Sequence, residues 1–133
     1  MAFPGGRTDP ADASPRATAE RETREEVGLE LPDAAFIGAL PVQVSPVRTP
    51  DHALTVFPFV YEVARWPAFV LSDEVASVHP FAFGRIAAGE GRGVFPYTWR
   101  GTPLELPCIR LDGALIWGMT LRMIDDILSR LAS

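Results

Sequence analysis

The chain has 133 residues, 47% of them hydrophobic, and a formal net charge of -5 at pH 7. This length supports one domain with a real core and is too short to argue for two. The negative charge argues against general binding to nucleic acid or to an anionic membrane, because both need clustered positive charge. A single cysteine, Cys108, excludes an internal disulfide, and no apolar run reaches the ~20 residues that span a bilayer. We therefore expect a cytoplasmic protein.

A helix is predicted from about Pro15 to Val27. Ser14 can cap its free amide groups, and proline at the first helical position loses no hydrogen bond. Gly28 marks the expected end, since glycine accepts the left-handed conformation that commonly closes a helix. The second half of this helix carries the residues that suggest chemistry.

Three glutamates, Glu22, Glu25 and Glu26, fall within an arc of about 100° on one face of the helix. Like charges at this spacing cost a helix roughly a few tenths of a kcal/mol per pair, so something should compensate. A divalent ion such as Mg2+ or Mn2+ would do so, because hard cations prefer oxygen ligands. Arg21, beside the arc, can offset part of the repulsion by pairing with a carboxylate, or it can hold the preceding loop. The alternative is a solvated acidic helix face.

The loop before the helix favours a metal site over a solvated face. It is rich in glycine, proline and aspartate, and it can bring backbone carbonyl groups close to the same ion. The residues concerned are Pro4, Gly5, Gly6, Asp9, Pro10 and Asp12.

Residues 3–29 resemble the Nudix box, a loop and helix with the pattern G-x5-E-x7-R-E-U-x-E-E-x-G-U, in which U is a bulky apolar residue. The back half fits from Arg21 to Leu29, with Thr23 as a weak apolar substitute. In the front half Asp12 stands where glutamate is expected, and the stretch from there to Arg21 is one residue too long. That longer loop is similar to the coenzyme A pyrophosphatase branch of the Nudix hydrolases, and a weaker match to this branch lies at residues 116–120.

The resemblance implies an α/β fold, the Nudix α/β/α sandwich with a mixed β-sheet. In the branch a strand-rich segment precedes the box, so N-terminal strands are expected to be missing here. Met1 stands where the branch has valine, and all twelve basic residues are arginine, which suggests GC-rich coding in which a GTG valine codon can be read as a start. Our hypothesis is an N-terminally clipped domain, which an in-frame stop codon directly before Met1 would exclude. A second copy could cover strand edges left unpaired, so a homodimer is left open.

The resemblance also implies metal-dependent hydrolysis of a diphosphate linkage in a small nucleotide. Coenzyme A or acyl-CoA would be cut to 3′,5′-ADP and 4′-phosphopantetheine or its acylated form. Glu22 and Glu26 would hold Mg2+ or Mn2+, and Glu25 would be a further ligand or the base that orients the attacking water. The Gly6 carbonyl would be another ligand, and Arg21 would organise the loop. Two alternatives remain: a Nudix hydrolase of another nucleoside diphosphate derivative, and a truncated domain that binds a nucleotide without catalysis.

The remaining elements are predicted from periodicity and turn residues. Strands are expected at residues 34–40 and 54–63, with Pro58 at an edge or bulge and residues 41–52 as a loop near the substrate. A short helix at 81–88 and strands at 94–99 and 104–111 should follow. A closing helix should pack an apolar stripe on the sheet, formed by Trp117, Thr120, Ile124, Ile127, Leu128 and Leu131.

Four isolated residues invite a functional interpretation. His52 and His79 suit general-base chemistry, but no partner spacing supports either, so exposed or structural histidines are expected. Glu74 is a candidate for an additional carboxylate at the site, with an exposed loop acid as the alternative. Cys108 lies in a strand-like apolar context and should be a buried small hydrophobe.

Overall fold

The computed structural model describes residues 1–49, 52–65 and 67–132, with the backbone alone for residues 46–49, 52 and 53. Two compact units are present: Pro4–His79 is one, and Met1–Phe3 with Pro80–Ser133 is the other. The single domain expected from the sequence stays a prediction.

The first helix, α1, spans Pro15–Val27, as predicted. The Oγ atom of Ser14 accepts a hydrogen bond from the Ala17 amide at 3.1 Å and so caps the helix. At the other end Gly28 adopts φ 72°, and its amide donates to the Arg24 carbonyl at 2.9 Å. Both ends are therefore closed by the local interactions that the sequence indicated.

A long β-ribbon follows a short 3-10 helix at Asp33–Ala35. Its strands are β1 (Phe36–Ala39), β2 (Gln43–Thr49), β3 (His52–Val56) and β4 (Phe59–Tyr61). The inner strands β2 and β3 pair antiparallel, and the outer strands β1 and β4 pair antiparallel around them. The Leu40 amide donates to the Pro58 carbonyl at 3.0 Å between the two ladders.

The predicted loop at 41–52 is wrong over Gln43–Thr49, which is strand β2. The composition of this stretch suggested a loop, but pairing with β3 supplies the hydrogen-bond partners that its backbone needs. The predicted strand at 54–63 is interrupted, because Pro58 has no amide hydrogen for a ladder bond. Pro58 thus sits at an irregularity between β3 and β4, in agreement with the expected bulge or edge position.

Arg16 connects helix α1 to the outer strands of the ribbon. Its guanidinium donates to Glu20 at 2.9 Å, to the Tyr61 hydroxyl at 3.1 Å and to Asp33 at 2.8 Å. It also lies 3.9 Å from the centroid of the Phe36 ring, a cation–π contact. The Tyr61 hydroxyl completes the group by donating to Glu20 at 2.6 Å. These contacts fix the orientation of α1 within its unit.

The other unit contains α2 (Phe83–Ala87), β5 (Arg92–Trp99), β6 (Thr102–Leu111), β7 (Ala114–Trp117) and α3 (Gly118–Leu131). The three strands form an antiparallel meander in the order β5-β6-β7. One face of this sheet packs against both helices through a buried cluster of Ile86, Ile109, Leu111, Ile116, Leu121 and Ile124. The predicted short helix and both predicted strands are confirmed, with small differences at their ends.

The closing helix packs on the sheet as expected, but its buried face differs in part from the predicted stripe. Ile124 is buried and Leu128 packs against the cluster, whereas Leu131 is 69% exposed at the end of the helix. Leu121, absent from the predicted stripe, is 3% exposed. Trp117 precedes the helix as its N-terminal cap residue and belongs to β7, so helical spacing does not apply to it.

The predicted α/β class is confirmed. Within the described residues the strands pair antiparallel in three separate sheets, where one mixed sheet was expected. In the unit that contains β5, β6 and β7 the connections explain the antiparallel order, since two residues join β5 to β6 and two join β6 to β7, whereas a parallel pair needs a crossover of about a dozen residues or more. Across the same residues, none of the helices is long and apolar enough to cross a bilayer.

Candidate active site

Arg21 is the centre of the contacts between helix α1 and the loop before it. Its Nε and Nη2 atoms donate to the two carboxylate oxygens of Asp12 at 2.9 and 3.0 Å, and Nη2 also donates to the Arg7 carbonyl at 3.1 Å. Its Nη1 atom donates to Glu22 at 3.1 Å and to Glu25 at 3.0 Å. One guanidinium therefore holds the loop and two of the clustered glutamates at once.

Asp12 is the main acceptor in this loop, and its side chain is only 6% exposed. Besides Arg21, it accepts from the Asp9 amide at 2.8 Å and from the Thr18 hydroxyl at 2.9 Å. The hydrogen bond from Arg21, followed by that from Asp9, holds the pKa of the Asp12 carboxyl well below its ordinary value of 3.8. Asp12 is therefore ionised under all ordinary conditions, and it fixes the position of Arg21.

Two glycines of the loop lie against the glutamates of the helix. The Gly5 amide donates to Glu26 at 3.1 Å. A Cβ atom on Gly6 would overlap the carboxyl carbon of Glu22, so any side chain there would displace this carboxylate. The backbone of the loop thus reaches the carboxylates directly, as the glycine-rich sequence suggested.

Residues 70–72 dock on the C-terminal end of α1. The Val70 amide donates to the Val27 carbonyl at 2.9 Å, and the Ser72 amide donates to the Glu26 carbonyl at 2.9 Å. Carbonyl groups in the last turn of a helix have no partner within the helix, so this segment satisfies two of them. Gly28 packs closely here, because a Cβ atom on it would lie 2.9 Å from Cβ of Val70.

This docking forms a cleft of about 300 Å3 between α1 and the segment. Five carboxylates and one hydroxyl line it: Glu22, Glu25, Glu26, Asp73, Glu74 and Ser72. Burial raises the pKa of Glu26, the Gly5 amide lowers it, and the charges of Glu22 and Glu74 raise it further, for a net increase. The cleft therefore concentrates negative charge that a cation would neutralise.

The donor set of the cleft fits a divalent cation. Its lining is rich in carboxylate oxygens, which Mg2+ and Mn2+ prefer. The buried Oγ atom of Ser72 has no hydrogen-bond partner among the residues that the structure describes. Over residues 1–49, 52–65 and 67–132, no three acidic, histidine or cysteine side chains converge closely enough to form a complete ligand set. Arg21 engages Glu22 and Glu25, and the Gly5 amide engages Glu26, so the carboxylates point to these partners.

The structure brings the predicted site residues of the loop and helix together, and His79 is not among the residues that line the cleft. His79 is exposed, with a ring nitrogen 2.7 Å from the Ser77 hydroxyl oxygen, and the side chain of His52 lies outside the described residues. Glu74 combines both interpretations, because it is exposed and also lines the cleft. Cys108 is buried, as predicted.

Two residues of the cleft, Ser72 and Asp73, were missed by the sequence analysis. They lie 46 and 47 positions after Glu26 (72 − 26 and 73 − 26), and no motif marks them. Only the docking of residues 70–72 on the helix end reveals their place. The acidic character of Asp73 beside Glu74 was the one available signal.

Comparison with known proteins identifies the family of the chain. The chain matches the NUDIX domain family over residues 1–92. It is 33% identical over 137 residues to the human mitochondrial coenzyme A diphosphatase NUDT8, covering 99% of this chain and 56% of that protein. It is 29% identical over 136 residues to mouse mitochondrial coenzyme A diphosphatase NUDT8, covering 99% of this chain and 62% of that protein.

The chain thus spans about three fifths of the length of the curated relatives it matches. These similarities confirm the resemblance drawn from the Nudix box and its longer loop. Because the family match extends over 92 of the 133 residues and includes the loop and helix α1, this chain belongs to the Nudix family.

Proposed function

We propose that this chain hydrolyses a diphosphate linkage with the help of a divalent cation, Mg2+ or Mn2+, and that its substrate is coenzyme A or acyl-CoA. The observation that carries the proposal is the cleft lined by five carboxylates beside the glycine loop. The similarity to two curated coenzyme A diphosphatases supports the choice of substrate. A cytoplasmic location and a homodimer stay predictions.

In this proposal Glu22 and Glu26 hold the cation, with the Gly6 carbonyl as a further ligand. Both side chains lie against the glycine loop, so their positions are restricted before any ligand arrives. When bound, such a cation neutralises charge on phosphate oxygens and lowers the pKa of water, which promotes attack on phosphorus.

Glu25 is a further ligand or the base that orients the attacking water. Its side chain is 54% exposed, and one carboxylate oxygen accepts from Arg21, which leaves the other oxygen available for a proton. Arg21 itself holds the loop through Asp12 and the Arg7 carbonyl, so it acts by positioning. The contacts support this division of roles, because every donor on the Arg21 side chain that faces the loop already has an acceptor.

Replacing Glu26 by glutamine tests the proposal, because glutamine keeps the shape and removes the charge. Glu26→Gln should lower turnover of coenzyme A by about 100-fold or more while the circular dichroism spectrum stays unchanged. The matched control is Glu105→Gln, since Glu105 is an exposed carboxylate on β6. Unchanged metal-dependent turnover in Glu26→Gln would contradict the site assignment.

A substrate panel tests the second half of the proposal. Coenzyme A and acetyl-CoA should be hydrolysed faster than ADP-ribose and dinucleotide polyphosphates, with 3′,5′-ADP detected by chromatography. Preference for one of the other nucleotides would keep the hydrolase and replace the substrate. Absence of turnover for every member of the panel, with Mn2+ present, would favour a domain that binds a nucleotide without catalysis.

A further inference from the structure

We propose that one face of the β2–β3 ribbon binds a second copy of this chain, so that two ribbons pack face to face around a two-fold axis. This valine face consists of Val42, Val44, Thr55 and Phe57. Its role does not depend on the proposed hydrolysis, because none of the four residues lines the carboxylate cleft. Three observations carry the inference: the exposure of the valine face, the buried glutamine behind it and the absence of charge from the ribbon around it.

The first observation is that the four side chains share one exposed face. Val44 pairs with Thr55 across the ribbon, so the two side chains point to the same side. Val42 and Phe57 each lie two residues from this pair, and strand alternation puts them on that side as well. Val42 is 53% exposed, Val44 52% and Phe57 46%, and Thr55 is also exposed. Single exposed apolar residues are ordinary, but neighbouring ones on one face are typical of a contact with another molecule.

The second observation is the state of Gln43, which lies between the two valines. Gln43 is 7% exposed, and its Oε1 and Nε2 atoms have no hydrogen-bond partner in the part of the chain that the structure describes. A slip of β2 by one residue would turn both valines inward and place Gln43 in water. The ribbon has the opposite arrangement, which is unfavourable as long as water covers the valine face. Another molecule on this face would remove the apolar part of that cost.

The third observation is the charge pattern, which indicates what the other molecule is. Residues 34–47 and 53–61 contain no charged side chain, although 22% of the chain is charged. Two copies that each carry a net charge of -5 repel one another over most of their surface. In a two-fold contact each surface meets itself, so any charge near the axis would face a like charge. The uncharged ribbon avoids this repulsion, and it offers no charge to a partner that binds through the opposite charge.

The contact involves the faces of the ribbons and not their strand edges. Pro46 lies within β2 and has no amide hydrogen for pairing with a further strand. Proline in an edge strand is one of the features that prevent a sheet from continuing into another molecule. The inference therefore differs from the homodimer left open in the sequence analysis, in which the second copy would cover unpaired edges.

The test measures molar mass by light scattering and sedimentation velocity over a series of protein concentrations. The original chain should pass from its monomer mass of 14.5 kDa to twice that mass as the concentration rises. Val44→Glu and Val44→Lys should each raise the dissociation constant of the dimer about 100-fold or more, because like charges then meet across the axis. An equimolar mixture of the two variants should associate again, since opposite charges face each other in the mixed dimer.

The matched control is Val94→Glu, which introduces the same charge at a valine of β5 that is 53% exposed. It should dimerise like the original chain. The double variant Val42→Thr with Val44→Thr covers the case in which a charge in the ribbon prevents folding, because threonine keeps the branched shape that suits a strand. Its circular dichroism spectrum should stay unchanged, and its dissociation constant should rise about tenfold or more.

Three results would overturn the inference: a monomer at every concentration, dimerisation of the threonine double variant with the original affinity, or a mixture of folded Val44→Glu and Val44→Lys that stays monomeric. A monomer whose valine face binds the dye anilinonaphthalene sulfonate, with the binding lost in folded Val44→Glu, would show that a different molecule occupies this face. Turnover is not a readout, so failure of the proposed function would leave the test unaffected.

Discussion

Replacing Gly28 by alanine tests whether residues 70–72 must dock on the end of α1 for the cleft to form. Gly28 adopts φ 72°, and a Cβ atom added there would lie 2.9 Å from Cβ of Val70 and 3.2 Å from its backbone nitrogen and oxygen. The methyl group therefore cannot be accommodated unless the segment moves away from the helix. Such a movement would also displace Ser72 from the Glu26 carbonyl, to which its amide donates.

The expected loss of stability has two parts. An alanine in the left-handed conformation costs about 1–2 kcal/mol, and the added methyl group in a packed contact costs about 1–3 kcal/mol more. The matched control is Gly89→Ala, because Gly89 follows α2, has φ 85°, and has nothing within 4 Å of an added Cβ atom. Gly89→Ala should therefore show the first part of the cost alone.

Urea unfolding and Mn2+ titration together form the assay. For a slope of about 2 kcal/mol per molar urea, Gly28→Ala should unfold at roughly 0.5–1.5 M lower urea than Gly89→Ala. It should also bind Mn2+ about tenfold more weakly, whereas Gly89→Ala should bind it normally. Equal midpoints and equal affinities in the two variants would refute the argument that this docking builds the cleft.

Three further predictions concern the loop, the core and the response to pH. Gly6→Ala should displace the Glu22 carboxylate and weaken Mn2+ binding about tenfold, with the fold retained. Its control is Gly5→Ala, which should bind Mn2+ normally in the same titration because nothing lies within 4 Å of an added Cβ atom. Ile116→Ala should lower the free energy of unfolding by about 2–5 kcal/mol, measured in urea, because Ile116 is 1% exposed in the core cluster. The folded chain should lose stability as the pH falls below 3.8, because the pKa of Asp12 is lowered on folding and the unfolded chain then binds the proton more readily. Urea titrations across this range should give a flatter pH profile for Asp12→Asn, and an unchanged profile would show that Asp12 is not responsible.

The features that the sequence predicted well depend on contacts between residues that are near in the chain. Helix α1 begins and ends where Ser14 and Gly28 indicate, because a serine cap and a left-handed glycine act within about four residues. The arc of glutamates follows from helical periodicity in the same way. Strands β5 and β6 of the second unit were also predicted closely, with small differences at their ends, whereas β7 was not predicted.

Strand β2 of the ribbon was missed because its alternation of buried and exposed residues is reversed. On β2, the polar residues Gln43 and Ser45 are 7% and 8% exposed, whereas the neighbouring Val44 is 52% exposed. Val42, just before the strand, is 53% exposed. An apolar residue is ordinarily taken to mark the buried face of a strand, so this segment gives no usable pattern. This segment is a strand because it pairs with β3, and the pairing cannot be predicted from the residues of β2 alone.

The second half of the cleft could not be predicted for a similar reason. Ser72 and Asp73 follow a stretch with no regular periodicity, and Ser72 reaches Glu26 through a backbone hydrogen bond at the end of α1. Almost every residue type can form the same backbone hydrogen bonds, so these bonds cannot be predicted from the sequence except where a glycine is required. Gly28 is such a glycine, but its position at the end of the helix already accounts for it. Nothing in the sequence indicated that a side chain at this position would also clash with Val70.

The two departures of the loop from the Nudix pattern are related to each other in the structure. Aspartate at position 12 is one methylene shorter than the expected glutamate, and the loop between Asp12 and Arg21 is one residue longer. The chain folds back at residues 9–12, where the Asp12 amide donates to the Asp9 carbonyl at 2.9 Å and the Ala11 amide donates to the Asp9 side chain at 2.8 Å. This turn presents the shorter carboxylate to Arg21 in a two-point contact at 2.9 and 3.0 Å. The shorter carboxylate therefore still makes a two-point contact with Arg21, and this contact attaches the loop to helix α1.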